Sequence, residues 1–93
     1  MNKYELTVIS RPEDEQYKKA LDIIKEEIAG QKGKIDKQDD WGVKDLAYEI
    51  KKQTKGHYTF YNVSLPAESI ERLDEKLRIK NELLKYLFVR SQD

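Results

Sequence analysis

The chain has no cysteine, one histidine, two prolines and no net charge, and each shortage removes a class of protein. Without cysteine there is no disulfide framework, no thiolate zinc site and no cysteine nucleophile, a composition compatible with a reducing cytosol. Eighteen basic residues balanced by eighteen acidic ones leave no whole-chain field to draw in nucleic acid, so any RNA contact has to come from local patches. No apolar run approaches the length of a bilayer span, and Met1-Asn2-Lys3-Tyr4-Glu5-Leu6 lacks the apolar stretch of a secretory signal. The protein is therefore expected to stay where it is made, with no membrane partner.

Catalytic constellations are missing as well. There is no glycine-rich phosphate loop, no serine in a nucleophile-elbow context, and no nucleophile for His57 to activate. His57 is expected to be a strand histidine packed beside aromatics. Asp39-Asp40 is a pair of neighbours that point apart on a strand, which suits a loop or strand end better than paired acid–base work. The strings Glu13-Asp14-Glu15 and Glu71-Arg72 through Asp74-Glu75-Lys76 read as solvated helix faces. No enzyme activity, metal, cofactor or small-molecule substrate is expected.

What is present is a chain of 93 residues, 38% hydrophobic and 39% charged, suited to one soluble domain over residues 1–93. Tyr4, Leu6 and Val8 alternate with polar residues over Lys3 to Ser10, the period of a half-buried strand. Pro12 and the acidic residues after it start a helix whose Tyr17, Leu21, Ile24 and Ile28 recur until Gly30 and Gly33. Lys34 to Lys52 reads as a long second strand, with Gly42 marking a bulge or bend and Leu46, Tyr48 and Ile50 as core positions. Gln53-Thr54-Lys55-Gly56 is expected to turn the chain into a third strand, His57 to Leu65. Pro66 opens a second helix with Ile70, Leu73 and Leu77 on one face, basic residues at its end, and Asn81 helping to stop it. The apolar run in Leu83 to Arg90 suits a strand covered on both sides. The order βαββαβ predicts an α+β, ferredoxin-like split βαβ sandwich: a four-stranded antiparallel sheet, the first and third strands central, with both helices on one face.

Parity then sorts the side chains. Tyr61, Val63 and Leu65 should meet the helices, while Tyr58, Phe60, Asn62 and Ser64 face the other way. The same argument places Ile9, Ala47, Leu87 and Val89 with Tyr58 and Phe60 on the helix-free face. A bare sheet face carrying two aromatics and several aliphatics is more apolar than water contact favours, so a protein partner is expected there. The plainer alternative is that these residues only stabilise cross-strand pairs. Lys55-Gly56-His57-Tyr58-Thr59-Phe60-Tyr61 matches the third strand of an RNA-recognition motif in part, but His57, Tyr58 and Thr59 break its aromatic pattern, which ranks independent base stacking below partner binding.

Gly42-Val43-Lys44-Asp45-Leu46-Ala47-Tyr48-Glu49-Ile50-Lys51 resembles the signature of the bacterial small-subunit ribosomal protein six family. The resemblance begins at Tyr4-Glu5 and continues through Gly56, Tyr58, Leu65-Pro66, Leu77-Arg78-Ile79 and Val89-Arg90-Ser91. It implies a structural, non-catalytic protein of the cytoplasmic ribosome, in the central region of the small subunit. It also implies that the chain joins small-subunit ribosomal protein eighteen and binds small-subunit ribosomal RNA as a heterodimer. Lys44 and Lys51 are candidates to reach RNA phosphates, with Lys3, Lys52, Lys55, Arg78 and Arg90 as further local contributors. The alternative is a free-standing RNA-binding module of the same fold.

Overall fold

A computed structural model describes residues 1–91 of the protein. The elements are β1 (Asn2–Ser10), α1 (Asp14–Gly30), β2 (Lys34–Ile50), β3 (Gln53–Leu65), α2 (Ser69–Arg78) and β4 (Leu83–Arg90). They form an antiparallel sheet in the order β2-β3-β1-β4, so the first and third strands are central, as the ferredoxin-like reading requires. Among the described residues, no helix is long and apolar enough to cross a membrane.

The helices follow from spacing and ends. In α1, Ala20, Ile24 and Ile28 are buried at intervals of four, while Asp14 and Glu15 occupy the first turn, where the helix dipole favours negative charge. The chain leaves α1 with Lys32 in the left-handed region, φ 60°. Its N–H bonds the Ala29 carbonyl and that of Gly33 reaches back to Ile28, which satisfies two end carbonyls. In α2, Ser69, Leu73 and Leu77 repeat the same interval, and Lys76 and Arg78 suit its carboxyl end. The helix stops at Arg78, and Asn81 instead accepts from Arg11, through its carbonyl at 2.8 Å and its side chain at 3.1 Å. Both buried stripes pack on Tyr4, Leu6 and Val8 of β1 and Tyr61, Val63 and Leu65 of β3 to form the core.

The long hairpin differs from expectation in two ways. The turn is Lys51-Lys52, one pair earlier, with both residues at positive φ (48° and 64°) and Ile50 paired directly with Gln53. Two consecutive positive φ values match the twist of the flanking strands, although glycine or asparagine usually supplies them. Gly56, which looked like a turn residue, lies inside β3, where a Cβ would overlap Ile9 Cγ2 and approach Leu46 Cδ2 to 3.2 Å. It is a point of close packing rather than of turning.

The second difference concerns β2. Leu46, Tyr48 and Ile50 are not core residues: Tyr48 is 61% exposed and the other two are half-buried. The cause for Leu46 and Tyr48 is a register shift between Asp40 and Gly42, where Trp41 is an extra residue opposite β3 and Gly42 takes φ +80°, and a further irregularity between Asp45 and Ile50 precedes the pairing of Ile50 with Gln53. A one-residue insertion exchanges the faces of the residues beyond it up to the next irregularity. Even-numbered residues face the helices at Gln38 and Asp40, paired with Tyr61 and Thr59, and face away from them at Lys44 and Leu46. Ala47 is therefore corrected too: it is exposed, and its neighbours Leu46 and Tyr48 make the contacts on the helix-free face.

Candidate functional site

The helix-free face is built on the alternation of β3 and β1. Ile9 pairs with Tyr58 and Thr7 with Phe60, while Thr7 and Glu5 pair on their other side with Leu87 and Val89 of β4. Ile9, Tyr58, Phe60, Leu87 and Val89 thus share one surface, as parity requires. Ile9 is nearly covered, Tyr58 and Phe60 are half-buried, and Leu87 and Val89 are 57% and 47% exposed. In the isolated chain β4 is consequently covered on one side only, since Tyr86 and Phe88 pack against the core and the alternate residues do not.

Sequence reasoning missed Trp41, the largest side chain on this surface. Alternation from the helix-facing Asp40 points it to the side of Phe60, on which it stacks with ring centroids 5.2 Å apart and planes within 4°. Lys44 places its ammonium 5.5 Å from the Trp41 ring and 5.8 Å from that of Tyr58. Trp41, Phe60, Tyr58 and Lys44 make a continuous aromatic platform with a cation above it, an arrangement suited to planar or apolar partner groups. The signal that could have found it is Asp40-Trp41-Gly42 itself, an aspartate that can bond the backbone two residues on, ahead of a glycine free to take positive φ.

The basic candidates do not converge on one patch. Lys44 belongs to the platform. Lys51 Nζ donates to the Leu83 carbonyl at 2.7 Å and ties the hairpin end to β4. Lys52 is exposed in the turn, and Lys55 is 3.6 Å from Asp45. Lys3 is exposed and Arg90 donates to the Asn2 side chain at 3.1 Å, both at the opposite end of the sheet. Arg78 lies on α2, 4.0 Å from Asp74. Exposed pairs of this kind hold little energy and yield readily to a phosphate.

On the covered face, His57 stacks on Tyr17 of α1 at 3.5 Å with planes 1° apart, the aromatic packing expected of it. Its Nε2–H donates to Asp40 Oδ1 at 2.5 Å, and the same oxygen accepts from the Gly42 N–H at 2.8 Å. The His57 bond, with the Gly42 amide second, holds the Asp40 carboxyl below the usual aspartate range. Burial raises the Tyr17 hydroxyl above its ordinary value. Among the described residues no three His, Asp or Glu side chains are grouped to hold a metal ion.

Comparison with known proteins agrees with the architecture. The model of the family described as Ribosomal protein S6 matches residues 3–90. The small ribosomal subunit protein bS6 of Treponema denticola is 39% identical over 94 residues, covering all of both chains. That of Alkaliphilus oremlandii is 39% identical with 97% of each chain covered. Among solved structures, 30S ribosomal protein S6 from Thermotoga maritima superposes with a TM-score of 0.86 at 29% identity, over 97% of this chain and 87% of that one. The C-terminal domain of the MgtC protein from Mycobacterium tuberculosis reaches 0.65 at 13% identity, over 98% and 88%, a likeness of fold alone.

Proposed function

This chain belongs to the ribosomal protein S6 family, and on that premise we propose that it works as half of a heterodimer with small-subunit ribosomal protein eighteen, the pair binding small-subunit ribosomal RNA. Its role is structural rather than catalytic, in keeping with the family. The observation that carries the proposal is the uncovered sheet face, where Trp41, Tyr58, Phe60, Leu87 and Val89 lie together on a chain of zero net charge. Apolar, aromatic surface at the centre of a patch is what a protein partner buries, and a neutral chain needs such a partner to supply cationic charge for RNA. Lys3, Lys44, Lys51, Lys52, Lys55, Arg78 and Arg90 then act as scattered phosphate contacts rather than as a stand-alone RNA site.

The test is a titration of central-region small-subunit RNA with this protein alone, the partner alone and both, across a salt series. Weak binding by this chain alone and tight binding by the pair is the expected result. Tight, specific binding by this chain alone would instead support a free-standing RNA-binding module, with bases stacked on the Trp41 platform. Cell fractionation supplies an independent check, because stable absence from ribosomes and small-subunit precursors would remove the structural role.

A further inference from the structure

Alternation from Asp40 puts Trp41 on the helix-free face, the bulge sets Gly42 and then Lys44 on that face after it, and a bulge of one residue can slide along its strand or be absorbed into a regular ladder. Absorption that kept Asp40 paired with Thr59 would reverse every residue from Val43 to Tyr48 and carry Lys44 away from the Trp41 ring, leaving the indole more open to water. The groups that oppose this lie on the other side of the sheet. Asp40 Oδ1 accepts from the Gly42 N–H at 2.8 Å, closing a tight loop around Trp41, and from His57 Nε2–H at 2.5 Å. His57 is itself fixed, since it is 9% exposed and stacked face to face on Tyr17. A continuous connection therefore runs from α1 through the His57 ring and the Asp40 carboxylate to the bulge.

We propose that Asp40 and His57 are positioning residues for the Trp41 platform: a clamp on the helix-covered face that fixes the bulge and so keeps Lys44 and the Trp41–Phe60 stack together on the opposite face. Its consequence for partner binding rests on the reading of that face as the docking surface. The clamp works by geometry, because a carboxylate can accept two donors at once through one oxygen and an alkyl side chain can accept none. Asparagine retains an accepting Oδ1 and should keep much of the arrangement.

Trp41 is the only tryptophan, so its fluorescence in the full chain reports the clamp without any ligand. Asp40→Ala should red-shift the emission and raise acrylamide quenching while far-UV circular dichroism stays that of the folded protein. His57→Phe, which keeps a ring against Tyr17 but removes the donor, should show a smaller change of the same sign, and Asp40→Asn should lie nearest the parent. Unchanged Trp41 emission in folded Asp40→Ala, or Asp40→Asn matching Asp40→Ala, would overturn the proposal. If Asp40→Ala does not fold, His57→Phe decides: a red shift supports the clamp and parental emission overturns it. A second readout separates this inference from the docking reading. Asp40→Ala should lose about tenfold in affinity for ribosomal protein eighteen, equivalent to about 1.4 kcal/mol. A moved Trp41 with undiminished affinity would leave the clamp standing and remove the docking surface.

Discussion

β2 and β3 are hydrogen-bonded to one another along most of their length, yet they obey different rules. In β3 one set of alternate residues, His57, Thr59, Tyr61, Val63 and Leu65, is buried, and the other set is half-exposed. β2 is an edge strand that buries no residue fully, and its pairing slips between Ile35 and Lys37, between Asp40 and Gly42 and again between Asp45 and Ile50. A central strand has both neighbours and a helix layer to hold its register, whereas an edge strand can take up extra residues at little cost to the core. Side-chain direction is thus an outcome of local pattern in β3 and of accumulated insertions in β2.

The largest expected effect sharpens that contrast with two tyrosines. Tyr61 on β3 is 1% exposed, and Tyr61→Ala should cost about 3–5 kcal/mol through lost burial and the cavity left behind. Tyr48 on β2 is 61% exposed, its hydroxyl accepting from Lys85 Nζ at 3.2 Å, so Tyr48→Asp should change stability by no more than about 0.5 kcal/mol. Urea midpoints at constant m-value measure both. Similar losses at the two positions would mean that the bulge does not reverse the faces of β2.

The legibility of the fold follows the same division. β1 and both helices are readable because each carries a period, such as Leu6 and Val8 at two or Ile24 and Ile28 at four, and β4 is readable as an apolar run, although only one of its sides is covered. On the helix-free face, Ile9, Tyr58, Phe60, Leu87 and Val89 followed from that parity, whereas Trp41 was missed and Ala47 misplaced. Gly42 was recognisable as a bulge or bend, but its effect has to be carried forward along the strand, and a core assignment of Leu46, Tyr48 and Ile50 ignores it. The turn was misplaced for a related reason: Gly56 resembles a turn signal, and only the packing of Ile9 over it shows why a side chain is unwelcome there.

Those two glycines give the next contrast. Gly56→Val, on β3, forces side-chain atoms into Ile9 and Leu46 and should cost about 1–3 kcal/mol. At Gly42 a Cβ would meet nothing within 4 Å, so Gly42→Ala carries only the penalty of φ +80°, about 1–2 kcal/mol. Thermal unfolding ranks the two. The sharper check is on Trp41, because Gly42→Ala should shift its emission by disturbing the bulge, while Gly56→Val should act mainly on stability.

Binding offers a comparison in which stability hardly changes. Phe60 is half-buried beneath Trp41, with its ring outside the helix-covered core. Phe60→Asp should weaken the proposed association with ribosomal protein eighteen by tenfold or more, about 1.4 kcal/mol, since it puts a charge at the centre of an apolar patch. The domain should remain folded, as circular dichroism can verify. A loss of folding as large as that of Tyr61→Ala, with no separate loss of affinity, would place Phe60 in the core and undo the distinction between the two faces of β3.

The smallest effect concerns pH and the Asp40–His57 hydrogen bond between the two strands at the bulge. Asp40 titrates below the ordinary aspartate range because His57, and then the Gly42 amide, bond its charged form. Its unfolded value is about 3.9. A carboxyl whose folded value is depressed binds its proton more weakly when folded, so it contributes stability that is fully present above about pH 4 and is lost as pH falls through the folded value. The Asp40 side chain is 55% exposed, so solvent screening keeps the contribution small. The parent should therefore exceed Asp40→Asn in stability above about pH 4, and the margin should shrink as the pH is lowered from 4 toward 2. Urea unfolding of both proteins across that range measures it. A margin unchanged down to pH 2 would show that the carboxylate charge plays no part in holding β2 against β3, leaving hydrogen-bond geometry as the whole of the clamp.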